Sequence, residues 1–247
     1  WPFATLGWPD KTKDIKTFYP TQVLSTARDI INLWVARMVY SGLELAGEKP
    51  FTDVIIHGTI LTKDGKRMSK SLGTGIDPMI LIEKYGADAT RFGLIWQAMG
   101  GQDIHWDENS VIAGKKFANK IWNIARFILQ KTTGQKTATN SLQTAEKENK
   151  EILEKLAKTK KSVEKDIDAY EFGQALHTLY DFIWHEFADK YIELSKNRND
   201  EETKQVLAYS LLEILKMLHP FMPHLTEEIY QNLPRKNKEL LMIEEWE

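Results

Sequence analysis

Four cations, Lys63, Lys66, Arg67 and Lys70, fall within the stretch KDGKRMSKSLGTG at residues 63–75, interleaved with Ser69, Ser71 and glycines at 65, 73 and 75. Glycine lets a backbone approach a ligand closely, and ammonium and hydroxyl groups donate to phosphate oxygens. That combination suits a nucleoside triphosphate. When an adenylyl group is transferred, negative charge builds on the departing pyrophosphate. A lysine placed there stabilises the transition state more than it stabilises bound ATP, an effect on the order of 3 kcal/mol of barrier. The same composition also describes a solvated hairpin tip carrying lysines for solubility, and composition alone leaves the two readings level.

Other chemistry is less well supplied. The chain has no cysteine, and its six histidines, at 57, 105, 177, 185, 219 and 224, are scattered without ligand spacing, so neither disulfide nor zinc chemistry is indicated. A net charge of -2 and a pI near 6.4 give no global attraction to polyanions, so contact with nucleic acid needs a local patch. One exists. From Asn109 to Ala145 the sequence carries Lys115, Lys116, Lys120, Arg126, Lys131 and Lys136 and no acidic residue, a local charge of +6 of the kind phosphate contact requires. Phe127 sits among these cations, beside the apolar Ile124 and Ile128. No apolar run approaches the ~20 residues of a membrane span, and WPFATLGWPD is not a charged leader followed by an apolar stretch. The expectation is a cytoplasmic protein without membrane contact.

These groups need elements to position them, and 247 residues with 42% hydrophobic content suffice for two modest cores. PTQVLSTAR (20–28) predicts a short strand and turn, residues 29–45 a helix with Ile30, Trp34, Arg37 and Met38 at helical spacing, and FTDVIIHGTIL (51–61) a β-branched run leading into the glycine and serine loop. Asp77 with Pro78 predicts a capped helix start, Gly86 its stop, and Gly100–Gly101 the end of the next helix. After about residue 110 strand signals vanish. Helical patterns fill 111–131, 146–168 and 172–196, and two more helices break at Pro220 and Pro223, the second with Thr226 as N-cap and Glu227 and Glu228 facing its positive end. The expected architecture is α/β over residues 1–109, followed over 110–247 by an all-α antiparallel helical bundle.

Arg67-Met68-Ser69-Lys70-Ser71 matches four of the five positions of the KMSKS loop of class I aminoacyl-tRNA synthetases, with Arg67 replacing the first lysine. The segments WPFATLGWP, FYPTQVLSTARDIINLWVARM, VIIHGTILTKDGKRMSKSLGTGIDP, KYGADATRFGLI and GGQDIHWD follow in the order and at roughly the spacing found in valyl-tRNA synthetases. LHPFMPHLTEEIYQNLP (218–234) resembles the last stretch of the anticodon-binding domain shared by the Val, Ile, Leu and Met enzymes.

This resemblance implies the C-terminal half of a Rossmann-like nucleotide-binding domain joined to an anticodon-binding bundle. Valine and ATP, with Mg2+, would give valyl-adenylate, and the acyl group would then pass to tRNA(Val). It implies Lys70 as the phosphate ligand that aids catalysis, with Arg67, Met68, Ser69 and Ser71 in the same ATP-binding loop and Asp29 and Gly58 on the adenosine. Ile30 and Trp34 would wall the valine pocket, although without the resemblance ordinary core packing is the favoured reading of both. Such a pocket cannot strongly reject threonine, which carries a hydroxyl at the same volume, so editing is the usual remedy. Lys115, Lys116, Lys120, Arg126 and Phe127 would meet tRNA.

The sequence departs from the valyl pattern before Asp29, where a glycine and an aromatic are usual and Ala27 and Arg28 stand. His57 is as well explained by structure as by chemistry. No histidine lies in the His-x-Gly-His pattern that supplies a second phosphate site, and the editing domain is absent. The expectation is therefore a fragment, inactive alone, whose partner is the rest of a synthetase chain. A free-standing RNA-binding module, a synthetase for isoleucine or leucine, and another adenylyl or nucleotidyl transferase remain as rivals.

Overall fold

The computed structural model describes residues 3–69, 73–132, 146–234 and 239–246; Lys70, Ser71 and Lys136 lie outside them. The chain divides into two compact units, one of residues 1–61 with 100–104, the other of 62–99 with 105–247. The observed class is mixed α/β followed by helices.

The first unit is built on β1 (Thr21–Ala27) and β2 (Phe51–His57), paired in parallel with Thr21 opposite Phe51 and Ala27 opposite His57. A parallel pair cannot be closed by a hairpin and requires a crossover. The helical run α2, residues 28–46, supplies it, and Gly47, at φ 78°, ends it in the left-handed conformation that glycine adopts without a Cβ clash. The sequence predicts one regular helix here, but the pitch varies. A tight first turn (Arg28–Ile30) passes into wide turns at Ile31–Val35 and Gly42–Ala46, separated by ordinary helix at Ala36–Ser41. At Gly42 a Cβ would lie 2.7 Å from the Tyr19 hydroxyl and 2.9 Å from the Glu48 carbonyl, so this segment packs backbone against its neighbours. Val23, Val54 and Ile56 on the strands, and Leu33, Leu43 and Leu45 on α2, remain exposed. Parallel sheets normally cover both faces, so these side chains occupy positions that such folds usually bury. A second two-stranded ladder pairs β3 (Ile60–Leu61) with β4 (Ile104–His105).

The second unit begins with the hairpin after β3 and continues into α3 (Pro78–Tyr85), where the Asp77 carboxylate accepts from Met79 N at 2.9 Å as its cap. Gly86 ends α3 at φ 95°, and α4 (Ala87–Gln97) follows. The glycine pair at 100–101 does not stop α4, which ends three residues earlier. Gln97 bonds back to Gly93 O and accepts from Asp107 N at 2.7 Å each, and Ala98 O fills the Cβ position of Gly173 at 2.2 Å.

The long helices α5 (Asn109–Lys131), α6 (Lys147–Asp168), α7 (residues 172–195), α8 (Glu201–Leu218) and α9 (Pro223–Gln231) share one apolar core. Phe117, Ile121, Ile124 and Ile128 form the buried stripe of α5 that their spacing predicts, and Leu176, Leu179, Leu207, Leu211 and Ile214 meet them in that core. Burial of each such side chain stabilises by ~1.5 to 3 kcal/mol before entropy is counted.

Two expectations about α9 are corrected. Thr226 is not its N-cap. It is buried inside the helix, where its hydroxyl donates to Met222 O at 2.9 Å and lies 2.8 Å from His219 Nδ1. The cap comes from α4, whose Asp88 carboxylate accepts from His224 N at 3.3 Å and Leu225 N at 2.6 Å, while Arg91 donates to Pro220 O at 2.7 Å. Glu227 serves a different partner, accepting from Leu241 N at 2.9 Å. A helix start inside a packed unit leaves orphan N–H groups that any nearby carboxylate can satisfy, and here the nearest comes from a distant part of the sequence. Among the described residues no helix is long and apolar enough to cross a membrane.

Candidate functional site

The basic loop is held at both ends by its own threonines. Thr62 N donates to Lys66 O at 2.8 Å, Gly65 N to Thr62 O at 2.9 Å, and Gly65 takes φ 81°, so residues 62–66 form a tight turn. Asp64 pairs with Lys66 at 3.2 Å, and its carboxyl is held below the usual range by hydrogen bonds from Thr62 and Lys66. That pairing partly offsets the Lys66 charge. Beyond the turn, Ser69 N donates to Thr74 Oγ1 at 3.0 Å and Thr74 N returns a bond to Ser69 O at 3.2 Å. Arg67 is exposed, whereas Met68 and Ser69 are half-buried. The Ser69–Thr74 clasp fixes the two ends of the segment that carries Lys70 and Ser71, which themselves lie outside the described residues.

In the first unit Asp29, Ile30 and Trp34 lie on the first turns of α2, directly after the C-terminal end of β1. Ile30 and Trp34 are 37% and 45% exposed, which excludes them from the described core and leaves an indole and a branched aliphatic facing outward. Gly58 follows β2. A Cβ at Gly58 would stand 1.9 Å from Gln102 O, so the close approach this glycine permits is to the chain's own residue 102 rather than to empty space. Segment 102–104 is tied down further by Thr59 N donating to Asp103 Oδ1 at 2.8 Å and Ile104 N donating to Thr59 O at 2.8 Å. Arg28 also donates to Asp103. His57 is exposed, with its Nδ1 3.0 Å from Gly58 O.

The cations of α5 divide between two stripes, Lys116, Lys120 and Lys131 with Phe127 on one, Lys115 and Arg126 with Trp122 on the other, since residues four and seven apart share a helix face. Several are engaged. Lys120 pairs with Asp189 at 2.9 Å and sits 5.0 Å from the Trp184 ring, Lys115 reaches Lys84 O at 3.3 Å, and Lys131 lies 5.6 Å from the Phe127 ring. Phe127 is half-buried against the core. The sequence therefore overstates the local charge, because Asp189 returns from α7.

What the sequence reading missed is Trp122. It is 43% exposed and lines a cavity of about 500 Å³ with Arg126, Leu129, Glu228, Asn232 and Pro234, between α5 and α9. The signal was present: a tryptophan one turn before an arginine and off the buried stripe has no core role to fill. Among the described residues no group of three or more His, Cys, Asp or Glu side chains could hold a metal ion.

Comparison with known proteins agrees with the motif order. The model for tRNA synthetases class I (I, L, M and V) matches residues 1–107, and the anticodon-binding domain of tRNA ligase matches residues 149–247. Among curated proteins, valine–tRNA ligases from Petrotoga mobilis, Bacillus subtilis and Pseudothermotoga lettingae are 46%, 45% and 48% identical over the whole chain, and each is covered for 29% of its own length. The chain thus spans less than a third of the curated relatives it matches.

Solved structures show the same fold at lower identity. A leucyl-tRNA synthetase complex with tRNA and LeuAMS from Agrobacterium radiobacter K84 superposes with TM-score 0.76 and 22% identity, over 92% of this chain and 28% of that one. A methionyl-tRNA synthetase with methionyl-adenylate from Mycobacterium tuberculosis gives 0.71 and 21%, over 92% and 47%. With both family models in sequence order and full-chain identity near 46% to valine–tRNA ligases, the chain is similar along its length to the class I tRNA synthetases of the I, L, M and V group.

Proposed function

We propose that this chain is part of a valine–tRNA ligase that activates valine with ATP and transfers it to tRNA(Val) in the cytoplasm. The single observation that carries this reading is the 46% identity over the whole chain to a ligase for valine rather than for isoleucine, leucine or methionine. Residues 1–109 act as the second half of the catalytic domain, with the Rossmann-like βαβ arrangement of β1, α2 and β2, and residues 110–247 as an anticodon-binding helical bundle.

In the first step the valine carboxylate attacks the α-phosphorus of ATP, the bond to the bridging oxygen breaks, and pyrophosphate leaves. Lys70 meets the charge on the leaving group, with Arg67, Ser69 and Ser71 beside it. Met68 is half-buried, and Ser69 is held to Thr74. Asp29 and Gly58 lie on the adenosine side, Gly58 through the path it gives segment 102–104. Ile30 and Trp34 wall the valine side chain, and their exposure in this chain leaves them available for it. In the second step a hydroxyl of the terminal ribose of tRNA attacks the acyl carbon and AMP departs. Mg2+ arrives on the phosphates of ATP, and none of the described residues is assigned to it.

The bundle holds tRNA through Lys115, Lys116, Lys120 and Arg126, with Phe127 and the Trp122 cavity as aromatic surfaces for unstacked bases. Binding of tRNA(Val) by the 247-residue chain is expected to weaken steeply between 50 and 200 mM salt, and Trp122→Ala with Arg126→Ala should weaken it at least ~10-fold at fixed salt. A flat salt response would remove phosphate contact from the account.

The reading itself is tested by pyrophosphate exchange into ATP, catalysed by the full-length protein with valine, isoleucine or leucine as the amino acid. Exchange highest with valine supports it. Preference for isoleucine or leucine reassigns the pocket, and no exchange with any of them leaves an RNA-binding module.

A further inference from the structure

We infer that Arg28 and Asp103 form a positioning pair that sets the adenosine side of the site relative to the valine side, an inference that rests on the function proposed above. At the position before Asp29, where the resemblance leads one to expect an aromatic, this chain places a guanidinium, and the fold gives it a specific partner. Asp103 Oδ1 accepts from both Arg28 Nη2 and Thr59 N, the second at 2.8 Å.

The contact lies where the proposed site residues meet. Ala27 gives the turn Arg28–Ile30, which opens α2 and carries Asp29 and Ile30, no side-chain cap bond, and Arg28 ties the first residue of that turn to Asp103. Asp103 belongs to the segment whose residue 102 fills the Cβ space of Gly58, and Ile104 N closes the same segment onto Thr59 O at 2.8 Å. One carboxylate oxygen therefore joins the start of α2 to the backbone at 58–59. Residues proposed for the two substrates are linked through a single charged pair, all within the first unit.

The side chains are 51% and 33% exposed, and an ion pair so placed contributes little to folding. Geometry is a separate matter, because a surface that meets a bound substrate loses affinity when its parts shift, even where stability is unchanged. The pair thus acts on substrate binding and not on the chemical step, and Arg28 and Asp103 touch neither reacting atom.

The test is steady-state exchange with the full-length protein for Arg28→Ala, Asp103→Asn, the double variant and the swap Arg28→Asp/Asp103→Arg. Asp103→Asn keeps an oxygen for Thr59 N and loses the charge. Each single variant is expected to raise KM for ATP about three- to tenfold with kcat within twofold, the double variant to be no worse than either, and Arg28→Lys to recover most of the loss. Wild-type exchange with an unchanged KM in Arg28→Ala, or losses that add in the double variant, overturns the inference and leaves the proposed function standing. If the wild type shows no valine-dependent exchange, the proposed function fails, and hydrogen exchange still decides the tether. Faster exchange at the Thr59 and Ile104 amides in Arg28→Ala supports it, and unchanged protection overturns it.

Discussion

Lys70→Ala in the full-length protein is expected to lower kcat for valine-dependent pyrophosphate exchange by about 100- to 1,000-fold while moving KM for ATP much less. The reason is where charge appears. Bound ATP already shares its phosphate charge with solvent and cations, whereas the departing pyrophosphate gains charge only as the α-phosphorus bond breaks, so an ammonium aimed at it acts mainly in the transition state. Arg67→Lys provides the control. It exchanges a planar fork for a point charge without removing the cation, and its effect should stay below about tenfold. Comparable losses in kcat and KM on Lys70→Ala would instead assign the lysine to ground-state binding. Retained exchange would return the loop to a solvated hairpin.

Glu213→Ala is expected to cost roughly 2 to 3 kcal/mol of stability in urea unfolding of the chain. Glu213 lies on α8 at 5% exposure, with Lys160 at 2.6 Å from α6 and Lys216 at 3.6 Å from the next turn. Removing the carboxylate takes the acceptor from the Lys160 ammonium in a partly dry site, whereas Lys216 keeps Glu245 O at 3.0 Å and Glu244 at 3.9 Å. The Lys160 and Lys216 side chains are 19% and 12% exposed, so water can recover part of the cost, which places the expected value below the ~3 to 5 kcal/mol of fully buried pairs. Glu213→Leu combined with Lys160→Met should restore most of the loss, since a packed apolar pair pays no desolvation. If that double variant is as unstable as Glu213→Ala, packing of the carboxylate's stem rather than charge is the cause.

The parts of this molecule that were legible in the sequence are those governed by near neighbours. β1 and β2 follow from β-branched runs, α3 from Asp77-Pro78 and Gly86, and the α5 stripe from the spacing of Phe117, Ile121, Ile124 and Ile128. The parts that were not legible depend on groups far away along the chain. Asp88 caps α9 from α4, so Thr226, the local candidate, turns inward and bonds Met222 O instead. Asp189 meets Lys120 and reduces a patch that looked uniformly basic. The uneven pitch of α2 has no local sign that a periodicity count detects. For the candidate site, the loop, Asp29, Ile30 and Trp34 were named from motif order, whereas Asp103 and the residue that fills the space at Gly58 are set by contacts between parts of the chain far apart in sequence.

One measurement bears most directly on the account as a whole: acylation of tRNA(Val) and tRNA(Ile) transcripts by the full-length protein, each supplied with valine and with isoleucine. The account predicts valyl-tRNA(Val) as the dominant product, with tRNA(Ile) poorly charged by either amino acid. Dominant charging of tRNA(Ile), or isoleucine accumulating on tRNA(Val) as fast as valine, would contradict it.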